Sequence, residues 1–199
     1  MKQLIGYLLF SMLLISPASI WAHCPQGQIA NKQETLNLQN GLTAYYERAH
    51  SEAYRFLAPL AAQGDPRAQV RVANMLIKAR GVQRDEEEAM RLFSIALQPI
   101  QLSASDGKAW AQSDLGDYFH DGWGIDKDYR KAVYWYRRAA EQGYAPAQNI
   151  LGWLYMQGHG VSPDEEMAIK WFRRAAEQGD VTALDNLKVL GKAGVDSGS

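Results

Sequence analysis

The sequence predicts an all-α fold, a right-handed α-solenoid of helix–turn–helix repeats, on three observations. The first is self-similarity: Arg137-Arg138-Ala139-Ala140-Glu141-Gln142-Gly143 returns 36 residues later as Arg173-Arg174-Ala175-Ala176-Glu177-Gln178-Gly179. The same shift carries Trp135 onto Trp171, Gly122 onto Gly158 and Gly124 onto Gly160. The second is spacing inside the unit, where Ala147, Leu151 and Tyr155 recur every four positions and make a helical stripe with no strand-like alternation. The third is punctuation, because a Gly-x-Gly turn followed by Asp splits each unit into two helices. Two helices in a unit of this length describe a stacked solenoid.

From the N-terminus, residues 1–22 stand apart: Lys2 is followed by an almost wholly apolar run from Leu4 to Ile15, and Pro17-Ala18-Ser19-Ile20-Trp21-Ala22 ends on a small residue. This reads as a secretory signal cleaved after Ala22, which predicts a periplasmic or secreted protein. The apolar core is shorter than the roughly 20 residues needed to cross a bilayer, so no stable membrane insertion is expected after cleavage. Removing Lys2 takes the formal charge from −1 to −2. Cys24 is the only cysteine, so a disulfide to a second chain is the one pairing open to it. His23 stands where a small residue would precede a lipid-bearing cysteine. Residues 23–40 are expected to be weakly ordered.

A partial copy occupies 41–65, with Ala53, Phe56, Leu60, Ala61 and Gly64 in the places of Ala132, Trp135, Ala139, Ala140 and Gly143. Copy one, 66–98, is more diverged: Ala68, Gly81, Asp85 and Ala89 find their counterparts Ala111, Gly124, Asp128 and Ala132 43 residues later. Seven residues are therefore inserted near Gln98 to Ser105, predicted as a longer loop. Copies two and three span 107–143 and 144–179, a capping helix covers 180–190, and 191–199 is too small and polar to pack.

Within the copies, Gly116 and Gly152 sit mid-helix, where glycine costs about 1 kcal/mol relative to alanine, so a neighbouring helix is expected to approach closely. Gly122, Gly124, Gly158 and Gly160 form the turns. Asp85, Asp128 and Asp164 supply N-caps, and Asp85 with Glu88 fits a capping box. In the second helices Trp135 lies between Ala132 and Ala139, and Trp171 between Ala168 and Ala175, which predicts two buried rings that interlock with small neighbours.

These residues resemble the Sel1-like repeat family, relatives of the tetratricopeptide repeats with a slightly longer unit and a Gly-x-Gly turn. The resemblance covers about residues 41–188; copy one departs from it, with Ala79-Arg80-Gly81 where Gly-x-Gly is expected. It implies an exported bacterial scaffold or adaptor that binds a protein or peptide. A narrower role implied by short exported members is that of an immunity protein neutralising a secreted effector that acts in the periplasm. Disulfide-rich relatives have been associated with β-lactam binding, but this chain lacks their cysteine pairs.

The remaining classes fare worse. With 21 Lys plus Arg against 22 Asp plus Glu, no nucleic-acid partner is expected. His23, His50, His120 and His159 never fall at i, i+3 or i, i+4, so neither a metal nor a cofactor is expected. No serine-nucleophile or phosphate-loop motif is present, and no catalytic residue is assigned. Asp85-Glu86-Glu87-Glu88 and Asp164-Glu165-Glu166 suit helix N-termini, as Arg137-Arg138 and Arg173-Arg174 suit C-termini. A hydrolase acting on cell-wall material or β-lactams is the least favoured reading.

The first helices carry the candidate partner face, at positions three, six, seven and ten after the first alanine. These are Arg71, Asn74, Met75 and Lys78; Asp114, Asp117, Tyr118 and Asp121; and Ile150, Trp153, Leu154 and Gln157. The strip runs from basic through acidic to apolar, with Tyr118 and Trp153 as expected anchors.

Overall fold

A computed structural model of the protein describes residues 25–191. The expected signal segment, His23, Cys24 and all but the first residue of the expected tail lie outside the described residues. The chain divides into two units, 1–36 and 37–199. The described part of the first is the opening of helix α1 (Pro25–Tyr46). A helix thus occupies most of the 23–40 segment expected to be weakly ordered. Between Gln28 and Asn40 no proline or glycine interrupts the chain, and further on Leu38, Leu42 and Tyr45 share one stripe, with Leu38 buried.

The second unit continues through α2 (His50–Ala62), α3 (Pro66–Lys78), α4 (Glu86–Ser105), α5 (Ala109–Asp121), α6 (Tyr129–Glu141), α7 (Ala145–Gln157), α8 (Glu165–Glu177) and α9 (Val181–Val189). From α2 onward each helix packs against the next in chain order, as a stack of hairpins must. Asp85, Asp128 and Asp164 accept the backbone N–H of Glu88, Lys131 and Met167 at 2.9–3.0 Å, so the predicted caps form. The return arm of the capping box does not: the Glu88 carboxylate accepts both arms of the Arg91 guanidinium at 2.6 Å. A charge-assisted fork outcompetes one backbone N–H.

The inserted residues are not a loop. They extend α4 to 20 residues where α6 and α8 have 13. Seven residues are close to two turns at about 3.6 per turn, so the insertion returns to the same face, and Ala96, Ile100 and Ala104 are buried along it.

The interlocking ring also differs from the expected one. Trp135 is only half-buried, and the enclosed side chains are its neighbour Tyr136 and, one copy later, Phe172. A Cβ on Gly116 would stand 2.8 Å from the Tyr136 ring, and one on Gly152 2.8 Å from the Phe172 ring. Trp171 is buried, but its far face carries the Arg174 guanidinium 4.7 Å away, so it closes the edge of the stack. The close approach at Gly116 and Gly152 was expected from the sequence; the rings that make it lie one position after the two expected tryptophans.

A ladder of glutamines ties the hairpins together. Buried Gln69, Gln112 and Gln148 donate from Nε2 to the carbonyls of Ala61, Ala104 and Ala140 at 3.1–3.3 Å. Gln142 and Gln178 in turn donate to the Oε1 of Gln112 and Gln148 at 2.7 and 2.8 Å. The three buried glutamines each add a second hydrogen bond to a helix-end carbonyl that already accepts the backbone N–H of Gly64, Gly107 or Gly143.

Candidate partner-binding face

In each first helix, three of the four expected positions form one strip. At about 100° per residue, positions three, six and ten fall within about 60° of one another. Position seven does not belong with them. Seven residues make nearly two whole turns, so Met75, Tyr118 and Leu154 return to the side of Ala68, Ala111 and Ala147, and all three are fully buried. Tyr118 therefore cannot anchor a partner; its hydroxyl donates to the Phe93 carbonyl at 2.6 Å and its ring packs edge-on to Phe93.

The strip converges on a cleft of about 160 Å³. α3 contributes Arg71, Asn74 and Lys78, and α5 contributes Ser113, Asp117 and Asp121. Pro146 and Ile150 of α7, Trp123 from the turn after α5, and Tyr45 and Tyr46 at the end of α1 complete the wall. Trp123 and the two tyrosines carried no repeat signal, so the sequence reading missed them. Trp153 and Gln157 are exposed but lie outside the lining of this cleft.

The charges are less free than the basic-to-acidic pattern suggested. Arg71 is 5% exposed and Asp114 fully buried, and Arg71 Nη2 donates to Asp114 Oδ1 at 2.5 Å. The same Nη2 donates to the Tyr46 hydroxyl at 3.0 Å, and the Tyr46 and Tyr144 hydroxyls are 2.9 Å apart. Asn74 is buried and donates to the carbonyl of Val70. Burial holds the Asp114 carboxyl above the usual carboxylate range, with the Arg71 charge opposing that shift. Asp117 is half-buried and accepts from the Tyr136 hydroxyl at 2.6 Å. Its carboxyl is pushed up to about 7, first by burial and then by the Asp114 charge, against the pull of Arg71 and the Tyr136 bond. Burial likewise pushes the Tyr45 hydroxyl up to about 12.

Beside this cleft, a groove of about 350 Å³ is walled by Leu42, Tyr46, Arg67, Arg71, Trp110 and Tyr144, with Gln39 and Thr43. Arg71 and Tyr46 thus form a partition between two cavities. The link after α1 reaches further: Arg48 donates to Thr182 at 3.2 Å and pairs with Asp185 of α9 at 3.6 Å.

Trp153 is 37% exposed and shares its packing with two imidazoles, His120 and His159, at centroid distances of 5.8 and 5.1 Å. His159 stacks on Tyr129 at 4.7 Å. The fold, and not one helix, brings both histidines to the same tryptophan. Among the described residues, no group of three or more His, Cys, Asp and Glu is placed to hold a metal, and no helix is long and apolar enough to cross a membrane.

Paired helices joined by tight turns, each packed against the next in chain order, define an all-α helical-repeat protein. The chain belongs to the Sel1 repeat family: the family model matches residues 66–98, 111–144 and 145–180, just over half of the sequence. It is similar to a Sel1 repeat protein from Oxalobacter formigenes, with 33% identity and a TM-score of 0.42, covering 66% of this chain and 94% of that one. It is also similar to c5321, a protective antigen present in uropathogenic Escherichia coli strains and displaying an SLR fold. That match has 28% identity and a TM-score of 0.46, and covers 85% of this chain and 36% of that one. A third similarity is to the Helicobacter pylori cysteine rich protein B, at 20% identity and a TM-score of 0.42, covering 68% of this chain and 92% of that one. No curated protein is significantly similar to the chain. Sel1 repeat proteins are generally protein-interaction scaffolds and typically not enzymes.

Proposed function

We propose that this chain is an exported scaffold or adaptor, working in the periplasm or outside the cell, that holds a segment of a protein partner along the strip of α3, α5 and α7. The observation that carries this reading is the convergence of Arg71, Asn74, Lys78, Asp117, Asp121 and Ile150, from three different repeats, on one cleft. Nothing in the stacking of the helices requires these six positions to share a cavity, whereas a protein segment laid across the repeats would meet them in order. Beyond the cleft, the half-exposed Trp153 supplies the kind of aromatic contact area that dominates interface energies. Export rests on residues 1–22, and the charge balance disfavours nucleic acid. The test is capture of a partner from the envelope of the producing cells, repeated with Asp117→Asn and, separately, with Trp153→Ala. Loss of the partner with either variant, at unchanged melting temperature, supports the strip. Equal capture by both would place binding elsewhere, and recovery of the protein only from the cytoplasm would remove the exported role.

A further inference from the structure

We infer that the groove between the end of α1 and the N-terminal ends of α3, α5 and α7 receives an acidic side chain of a protein partner, set beside apolar residues, with its carboxylate held by Arg67 and the tyrosine pair Tyr46–Tyr144. The inference rests on the proposed protein-binding role of this face and concerns the groove beyond the partition of Arg71 and Tyr46, not the cleft.

The wall of the groove holds donors that the protein leaves unused. Its charged groups are Arg67 and Arg71, and no carboxylate stands in the lining. Among the described residues the Arg67 guanidinium makes no hydrogen bond: it lies over the Trp110 ring at 5.2 Å, with Asp65 3.8 Å away. Arg71, whose side chain is 6% exposed, pairs with Asp114 through Nη2 and leaves Nε buried without an acceptor. The Tyr46 and Tyr144 hydroxyls are 2.9 Å apart, and the Tyr46 oxygen also accepts from Arg71. One of their two protons lies in the bond between them. The other has no acceptor among the described residues, whichever way that bond runs. Buried polar atoms are nearly always satisfied, so an arginine Nε and a hydroxyl proton left over in one wall, beside an unbonded guanidinium, mark the place of a negatively charged acceptor.

The backbone adds to the same field. Arg67 and Trp110 stand in the first turns of α3 and α5, and Tyr144 immediately precedes α7, so three positive helix ends border the groove. Two carboxylates oppose an anion, and both are engaged outside the lining: Asp65 caps α3 by accepting the N–H groups of Arg67 and Ala68, and Asp114 holds Arg71 from behind. Leu42 and the Trp110 ring make the remaining wall apolar, which suits a carboxylate flanked by aliphatic side chains. At about 350 Å³ the groove is at the small end of ligand sites, room for side chains and not for a helix.

The experiment uses the full chain and three blocked pentapeptides, each with alanine at both ends and a central Glu, Gln or Lys between two leucines. Binding is followed by the indole N–H resonance of Trp110. The Glu peptide is expected to bind at least about ten-fold more tightly than the Gln or Lys peptides, and the preference should shrink as ionic strength rises from about 0.05 to about 0.5 M. Arg67→Gln, at a partly exposed position, should abolish the preference, and Tyr144→Phe should weaken the Glu peptide more than the Gln peptide. Equal or tighter binding of the Gln or Lys peptide overturns the inference, as does a preference that survives Arg67→Gln. So does a Glu peptide that leaves the Trp110 resonance unmoved up to about 10 mM. A fourth peptide, with central Gln and a free terminal carboxylate, checks the source: if it binds more tightly than the blocked Glu peptide, the groove takes a chain end and the side-chain assignment falls. If a captured natural partner is lost with Asp117→Asn or Trp153→Ala but kept by Arg67→Gln, the strip stands and the acidic subsite falls. If capture is lost with Arg67→Gln and with neither of the others, the acidic subsite stands and the strip falls.

Discussion

In copies two and three, the same contacts occur twice. Gly116 meets the Tyr136 ring as Gly152 meets Phe172, and Gln142 bonds Gln112 as Gln178 bonds Gln148. The front of the repeat body, from the end of α1 through α4, departs from this at each step. Gly41 meets an aliphatic side chain, Leu57, in place of a ring. The α1–α2 link turns on Arg48 at φ 64° without any glycine, α3 ends on Ala79 at φ 50°, and α4 is two turns longer. Five residues of the cleft wall, Tyr45, Tyr46, Arg71, Asn74 and Lys78, come from this irregular front. The other six, Ser113, Asp117, Asp121, Trp123, Pro146 and Ile150, come from the regular copies, so the cleft is shared between the two regions.

The largest expected effects test the regular half. Phe172→Ala should cost about 3 to 5 kcal/mol, because it empties a fully enclosed site against a glycine backbone that cannot collapse into it. The half-buried Trp135, although the larger residue, should cost clearly less when truncated, about 1 to 2 kcal/mol. Urea midpoints for the two variants measure this directly. Equal losses would mean that tryptophan and not the glycine–ring contact holds the stack.

The irregular half answers differently to a single and a double change. Arg71→Ala leaves Asp114 as a buried uncompensated carboxylate and should cost about 3 kcal/mol. Replacing both partners, Arg71→Met with Asp114→Leu, should recover most of that stability while capture of the partner stays lost. A double variant that remains as unstable as the single one would show the pair to be structural, and the contrast between the halves would narrow. Smaller again is Gln148→Ala, which strips partners from the Ala140 carbonyl and from Gln178. About 1 to 2 kcal/mol is expected, read in the same urea series.

Much of this architecture was legible because it repeats. Glycine turns, aspartate caps and the paired helices each occur at a fixed offset, and one period explains them all. The misreadings have a shared origin in helical phase. Placing Met75, Tyr118 and Leu154 on the open face ignored that seven residues nearly close two turns. The same near-closure turned the seven-residue insertion into helix where a loop was expected. Trp135 was expected to be the enclosed ring, whereas burial follows direction and falls on Tyr136. Tyr45, Tyr46 and Trp123 were illegible for a different reason: they belong to the cleft through tertiary contact, and Trp123, the variable residue of its glycine turn, is matched by His159 one copy later, so no internal comparison of copies could single them out.

The smallest effect probes the cleft alone. An aspartate has a pKa of about 3.9 when unfolded, while Asp117 in the folded protein is held up to about 7. Between those values the native state keeps a proton that the unfolded chain has released, so Asp117 makes stability fall as pH rises from about 4 to about 7, with no further loss from this group above that. Asp117→Asn should flatten that slope and leave the variant at least as stable as the parent at pH 8, as melting temperatures across this range would record. An unchanged slope in the variant would assign the effect to other groups. Part of that cost is offset within the stack, because the same carboxyl accepts the hydroxyl of the enclosed Tyr136 at 2.6 Å.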